Sequence, residues 1–103
     1  MRWIYHAIRR AELAPDWSEL APASLAREGF VHASYVTDVL ESARLYLPKD
    51  EELVVLRIDP RLVNIRVDQT PRGPMPHILH AIPRSAVVEE LALAQIATAP
   101  DYV

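Results

Sequence analysis

Short apolar runs alternate with polar, proline-bearing stretches along the chain, and their periods predict the elements. Trp3 to Ile8 predicts a first strand, with His6 on the face of Ile4 and Ile8 because strand side chains alternate. Arg9 to Leu20 reads as partly helical, with Pro15 starting or breaking a turn. Ala23 to Arg27 reads as a helical turn stopped by Gly29, a residue free to take the positive φ of a helix C-terminus. A second strand follows, with Phe30, His32 and Ser34 on one face and Val31 and Ala33 on the other.

Thr37 is placed to cap a helix from Asp38 to Leu47, whose Val39, Leu40, Ala43, Tyr46 and Leu47 recur at helical spacing, and Pro48 ends it. Glu52 to Ile58 predicts the clearest strand: Leu53-Val54-Val55-Leu56 is apolar on both faces, as a central strand requires. Asp59-Pro60 marks a turn, and Leu62 to Val67 a further strand. Gln69 to Pro76, rich in proline, reads as a loop. His77 to Ile82 reads as a strand, and Ala86 to Leu93 as a last strand or short helix. Helices early and strands late predict an α+β fold rather than regular βαβ winding, with about five to six strands and two to three helices.

Composition narrows the function classes. A chain of 103 residues, half of them hydrophobic, predicts one domain over 1–103 with a modest core. The net charge of −3 makes a generic nucleic-acid binder an unfavoured reading, although Arg9-Arg10 forms a local basic pair. The absence of cysteine excludes disulfides, thiolate metal sites and a cysteine nucleophile. No apolar run approaches the ~20 residues that span a bilayer, and no leader pattern opens the chain, so a soluble cytoplasmic protein without membrane partners is expected.

The candidate chemistry is histidine chemistry. All four histidines fall in strand-like runs, and imidazole changes proton state near neutral pH. His32 and Ser34 share a strand face, so two polar groups there need partners or a ligand. His77 and His80, three apart on a strand, point to opposite faces and cannot chelate one ion, and no metal site is expected. Ser34 lacks a nucleophile elbow, and two glycines in the whole chain leave no room for a Walker A or dinucleotide-binding loop. Asp68, read from spacing alone, is a turn or cap residue that can face a cleft.

Ile4-Tyr5-His6, the run Leu25 to Ser34 (Leu-Ala-Arg-Glu-Gly-Phe-Val-His-Ala-Ser) and Pro76-His77-Ile78-Leu79 together resemble the small bacterial family catalogued as domain of unknown function 952. That family is similar to a compact ADP-ribosyltransferase-like fold, with the RNA 2′-phosphotransferases as its look-alike. Tyr5-His6 and Val31-His32-Ala33-Ser34 match their two histidine motifs in order. Departures from those motifs are Ala7-Ile8 in place of Gly-Thr and Phe30 in place of a histidine, and Val67-Asp68 stands where relatives in the 952 family often show Trp-Glu. The resemblance implies a split, mixed or antiparallel sheet whose cleft holds the nicotinamide and ribose of NAD, with His6 on the adenosine or ribose side and His32 and Ser34 lining it.

Three functional readings result. The first is a small-molecule or nucleotide binder with a histidine-lined cleft, formed by Tyr5, His6, Arg9, Phe30, Ser34 and His77. The second, implied by the resemblance, is an NAD-dependent transferase or glycohydrolase in which Asp68 stabilises a ribosyl cation, His6 and His32 clamp the cofactor, and Arg9 or Arg10 meets phosphate. The third is an acid–base enzyme (an isomerase, cyclase or lyase) with His32 as proton carrier beside Tyr5 or Ser34.

Overall fold

Valine- and isoleucine-rich runs become strands here because both of their faces find apolar partners. A computed structural model describes residues 1–103. The strands are β1 (Ile4–Arg9), β2 (Glu19–Leu20), β3 (Val31–His32), β4 (Leu53–Ile58), β5 (Ile65–Thr70), β6 (Gly73–Ile78), β7 (Ile82–Pro83) and β8 (Val87–Ala92). The α-helices are α1 (Ala23–Glu28) and α2 (Val36–Tyr46), and short 3-10 turns complete the chain. The class is α+β. Strands form three separate sheets, ordered β1-β4-β8, β2-β7 and β3-β6-β5, and every pairing is antiparallel. The expected five to six strands are eight, and no mixed sheet forms.

β4 is central, and its two faces divide the core. Val54, Leu56 and Ile58 join Ile4 and Ile8 of β1 and pack against Val31 and Ile78 of the β3-β6-β5 sheet. Val55 faces the other way with Tyr5, against Val39 of α2 and Ile96 near the C-terminus. The C-terminal segment closes on β1, where the Trp3 amide donates to the Asp101 carbonyl at 2.8 Å. No helix is long and apolar enough to cross a membrane.

Local expectations failed where tertiary contacts outweighed local signals. Arg9 to Leu20 is helical only as a 3-10 turn over Arg10–Glu12: β1 runs through Arg9, and a turn at Pro15-Asp16, closed by the Trp17 amide on the Ala14 carbonyl at 3.1 Å, leads to β2. This path brings Leu13 and Trp17 both to the larger core. Thr37 caps nothing; α2 starts at Val36 after Tyr35, and the Thr37 hydroxyl faces Arg2 and Asp38 instead. Pro60–Leu62 is a 3-10 turn capped by Asp59, so the strand expected from Leu62 begins at Ile65. Ala86 to Leu93 resolves as strand β8 rather than a helix. The strand expected from His77 to Ile82 ends at Ile78 and resumes only at β7.

The largest correction concerns Gln69 to Pro76, which is not a loop but most of a hairpin, β5–β6, turning at Pro71-Arg72. Gly73 leaves that turn at φ +97°, open to glycine without strain. Proline is rare in a central strand because it has no amide to donate. Here the Pro76 carbonyl accepts from Ala33 at 3.3 Å, so the missing donors of Pro76 and Pro74 point away from β5. They point to the side where β3 is two residues long, and no strand is there to be starved of a donor.

Candidate functional site

The site is assembled by five residues that cross from one sheet to the other. Gly29, at φ +86°, ends α1, and its amide donates to the Leu25 carbonyl at 3.0 Å. The chain then leaves extended. Val31 and His32 pair with Ile78 and His77 of β6. Two residues later Ser34 and Tyr5 exchange backbone hydrogen bonds of 2.8 Å each, which seats the segment on the free edge of β1. Between that edge, α2 and the β5–β6 hairpin lies a cleft of about 700 Å³, within the usual range for small-molecule sites.

Strand register decides which side chains converge. His32 stands opposite His77, and their ring centroids are 5.2 Å apart with planes at 77°. Phe30 stacks on His77 at 4.0 Å, nearly parallel, and meets His32 edge-on at 4.9 Å. Each imidazole has a carboxylate. Asp68 Oδ2 lies 2.6 Å from His77 Nδ1, and Glu28 Oε2 lies 2.6 Å from His32 Nε2. Arg66 holds Asp68 from the far side at 2.9 Å. The hydrogen bond from His77, with that from Arg66 behind it, keeps the Asp68 carboxyl below the usual carboxylate range.

His6 enters from β1. Its Nδ1–H donates to the His32 carbonyl at 2.7 Å, which leaves Nε2 as an acceptor without a protein partner, in a residue that lines the cleft. Burial lowers its pKa and favours the neutral ring, only partly opposed by that carbonyl. The unfolded chain therefore takes up a proton near 6.5 that the folded chain refuses. The His6 contribution to stability is complete above that pH and declines below it, by up to about 1.4 kcal/mol per pH unit, until the folded ring titrates. Urea unfolding on the acid side of neutrality is expected to show this slope in the native chain and a flatter one in His6→Gln. Equal slopes would show that the folded ring takes up its proton as readily as the unfolded one.

The remaining candidates divide. Phe30, His32, Ser34 and His77 line the cleft. Tyr5 lines it too, but its hydroxyl donates to the Pro100 carbonyl and so is not a partner for His32. Asp68 is not part of the wall; within β5 rather than at a turn or cap, it sits behind His77, hydrogen-bonded to that ring. Arg9 points elsewhere, paired with Glu12 at 2.8 Å and Glu51 at 3.3 Å, and Arg10 reaches Glu90 at 3.0 Å. Arg9 shares the strand face of the cleft-lining Tyr5 and Ala7, but it stands at the far end of β1, beyond the cleft, where Glu12 and Glu51 meet it. His80 lies outside any strand and is occupied at both nitrogens: Nε2 accepts from the Asn64 amide at 2.9 Å, and Nδ1 donates to the Ala81 carbonyl at 2.7 Å.

Four site residues went unread in the sequence. Arg27 and Glu28 arrive at the cleft from the end of α1, and Glu28 stands four residues before His32. That spacing carried no signal because the helix stops between the two. Ser42 and Arg72 were equally silent. Ser34 Oγ meets Ser42 Oγ at 2.9 Å, and Arg72 Nη1 donates to Ser42 Oγ at 2.9 Å from the hairpin turn. No group of three or more His, Asp or Glu is placed to hold one metal ion.

The family described as "Protein of unknown function (DUF952)" matches residues 7–90. A crystal structure of protein CC0527 from Caulobacter crescentus is similar at a TM-score of 0.75 and 24% identity, over 87% of this chain and 84% of that one. Its solution NMR structure is similar at a TM-score of 0.70 and 24% identity, over 87% and 83%. Likeness at this identity is likeness of fold. No curated protein matches the chain.

Proposed function

The chain belongs to the DUF952 family, and we propose that its histidine-lined cleft binds an anionic small molecule of about nucleotide size. The observation that carries this reading is the convergence of His6, His32, His77 and Phe30 on one cleft whose other charged residues are Arg27, Glu28 and Arg72. Two of the three charged residues that line the cleft are arginines, Arg27 beside Glu28 at 3.9 Å and Arg72 paired with Glu41 at 2.9 Å, and both offer guanidinium N–H groups to an anion. Stacked rings with oriented ring nitrogens offer a planar ligand both faces and hydrogen bonds.

Titration of AMP and then NAD, followed by amide and imidazole NMR shifts, tests it. Saturable shifts are expected at His6, at Phe30 to Ser34 and at His77. His80, engaged at both nitrogens outside the cleft, serves as the still reference. Silence at millimolar ligand would overturn the reading.

A second reading, NAD-dependent transfer or glycohydrolysis, is supported by the Tyr5–Ser34 bridge, which brings His6 and His32 to one seam between two sheets. In it the carboxylate facing the ribose is Glu28, because Asp68 stands behind His77. Release of nicotinamide from NAD that stops in Glu28→Gln would favour it over binding alone.

A further inference from the structure

Resting on the cleft as an anion site, we propose that His77 and His32 form a general base and general acid that hydrolyse small phosphodiesters. Binding alone needs no carboxylate behind a histidine, yet here two imidazoles on paired strands each have one at 2.6 Å. Asp68 on Nδ1 fixes the His77 tautomer and leaves the Nε2 lone pair free to take a proton. Glu28 on Nε2 of His32 leaves Nδ1 as that ring's free position. The rings differ in access: His77 is 6% exposed under Phe30, whereas the His32 side chain is 58% exposed. A held, buried ring suits the base, and a solvent-connected ring suits an acid that must be reloaded with a proton each turn.

Two proton carriers 5.2 Å apart fit a displacement in which one proton is removed and another delivered. Water bound in the cleft gives its proton to His77 Nε2 as its oxygen bonds to phosphorus. The bond from phosphorus to the leaving oxygen breaks, and that oxygen takes the proton on Nδ1 of the His32 imidazolium. The products are a phosphomonoester and an alcohol, and proton exchange with solvent resets both rings. Arg27 and Arg72 line the same cleft and oppose the charge that builds on the phosphoryl oxygens. His77 is faced by Asp68 and Arg66 from β5 and by His32 from β3, and His32 by Glu28 from α1. Asp68 is thus a positioning residue, and His77 and His32 are the catalytic ones.

Cytidine 2′,3′-cyclic phosphate is the probe, its hydrolysis followed by phosphorus NMR, with binding of cytidine 3′-monophosphate measured on the same preparations. Hydrolysis with a bell-shaped pH profile is expected. His77→Gln and His32→Gln are each expected to lower kcat by about 10²- to 10⁴-fold, far more than either weakens binding of the monophosphate. Asp68→Asn is expected to lower kcat at unchanged KM, a split that a purely structural role would not produce. His32 is exposed, so its variant tests the proposal even if His77→Gln fails to fold. Binding without hydrolysis overturns this inference and leaves the anion site standing. Loss of both overturns both, and hydrolysis that survives the two histidine replacements overturns the assignment of roles.

Discussion

Leu56→Ala is expected to lower the free energy of unfolding by about 2–5 kcal/mol, the range for emptying a leucine's volume in a closed core. Leu56 is fully buried in the central strand, in the cluster that joins the two large sheets, and its register partner is His6. A small domain holds roughly 5–15 kcal/mol in total, so this one change consumes a large share of it. The loss has two parts, the transfer of the missing methyl groups and a cavity that β1 and β8, hydrogen-bonded on either side, prevent from collapsing. Urea denaturation is expected to show a lower midpoint at unchanged slope. A loss under about 1 kcal/mol would mean that the sheets do not close over this position.

Arg72→Ala carries the second large effect, because one side chain ties the hairpin turn to α2 across the cleft. Its Nε donates to Glu41 at 2.9 Å, Nη1 to Ser42 Oγ at 2.9 Å and Nη2 to the Asp38 carbonyl at 3.3 Å. Charge-assisted bonds of a mostly covered arginine suggest a loss of about 1–3 kcal/mol. Amides from Thr70 to Gly73 are expected to exchange faster than in the native chain, and affinity for an anionic ligand to drop by about tenfold, an energy of roughly 1.4 kcal/mol. Lysine is not expected to restore it, since an ammonium cannot meet three partners in the planar fork of a guanidinium. Unchanged exchange at the turn would show that α2 and the hairpin hold together without Arg72.

How far the chain could be read depended on whether a signal was local. β4 was legible because burial on both faces leaves a continuous apolar run. The stop at Gly29 was legible because one backbone angle needs glycine. That Phe30, His32 and Ser34 share one strand face was legible because strand side chains alternate. The β5–β6 hairpin was illegible: Pro74 and Pro76 argue against a strand until the shortness of β3 is known, and that is a fact about a neighbour. Arg9 is absent from the cleft, although a basic residue near a histidine motif suggests a phosphate contact, because the strand carries it to the far end of β1, within reach of Glu12 and Glu51.

The sequence by itself determined the α+β class, the central strand and the presence of histidines in the strands that build the cleft, because alternation, apolar runs and glycine conformation are properties of consecutive residues. Only the tertiary structure decided that three of the four histidines share the cleft while His80 is bound elsewhere. It also decided that Asp68 serves His77 rather than the cleft wall, and that Glu28 serves His32. Those pairings depend on antiparallel register and on where a helix ends against a strand. Register is set by packing between segments far apart in the chain, and no local pattern encodes it.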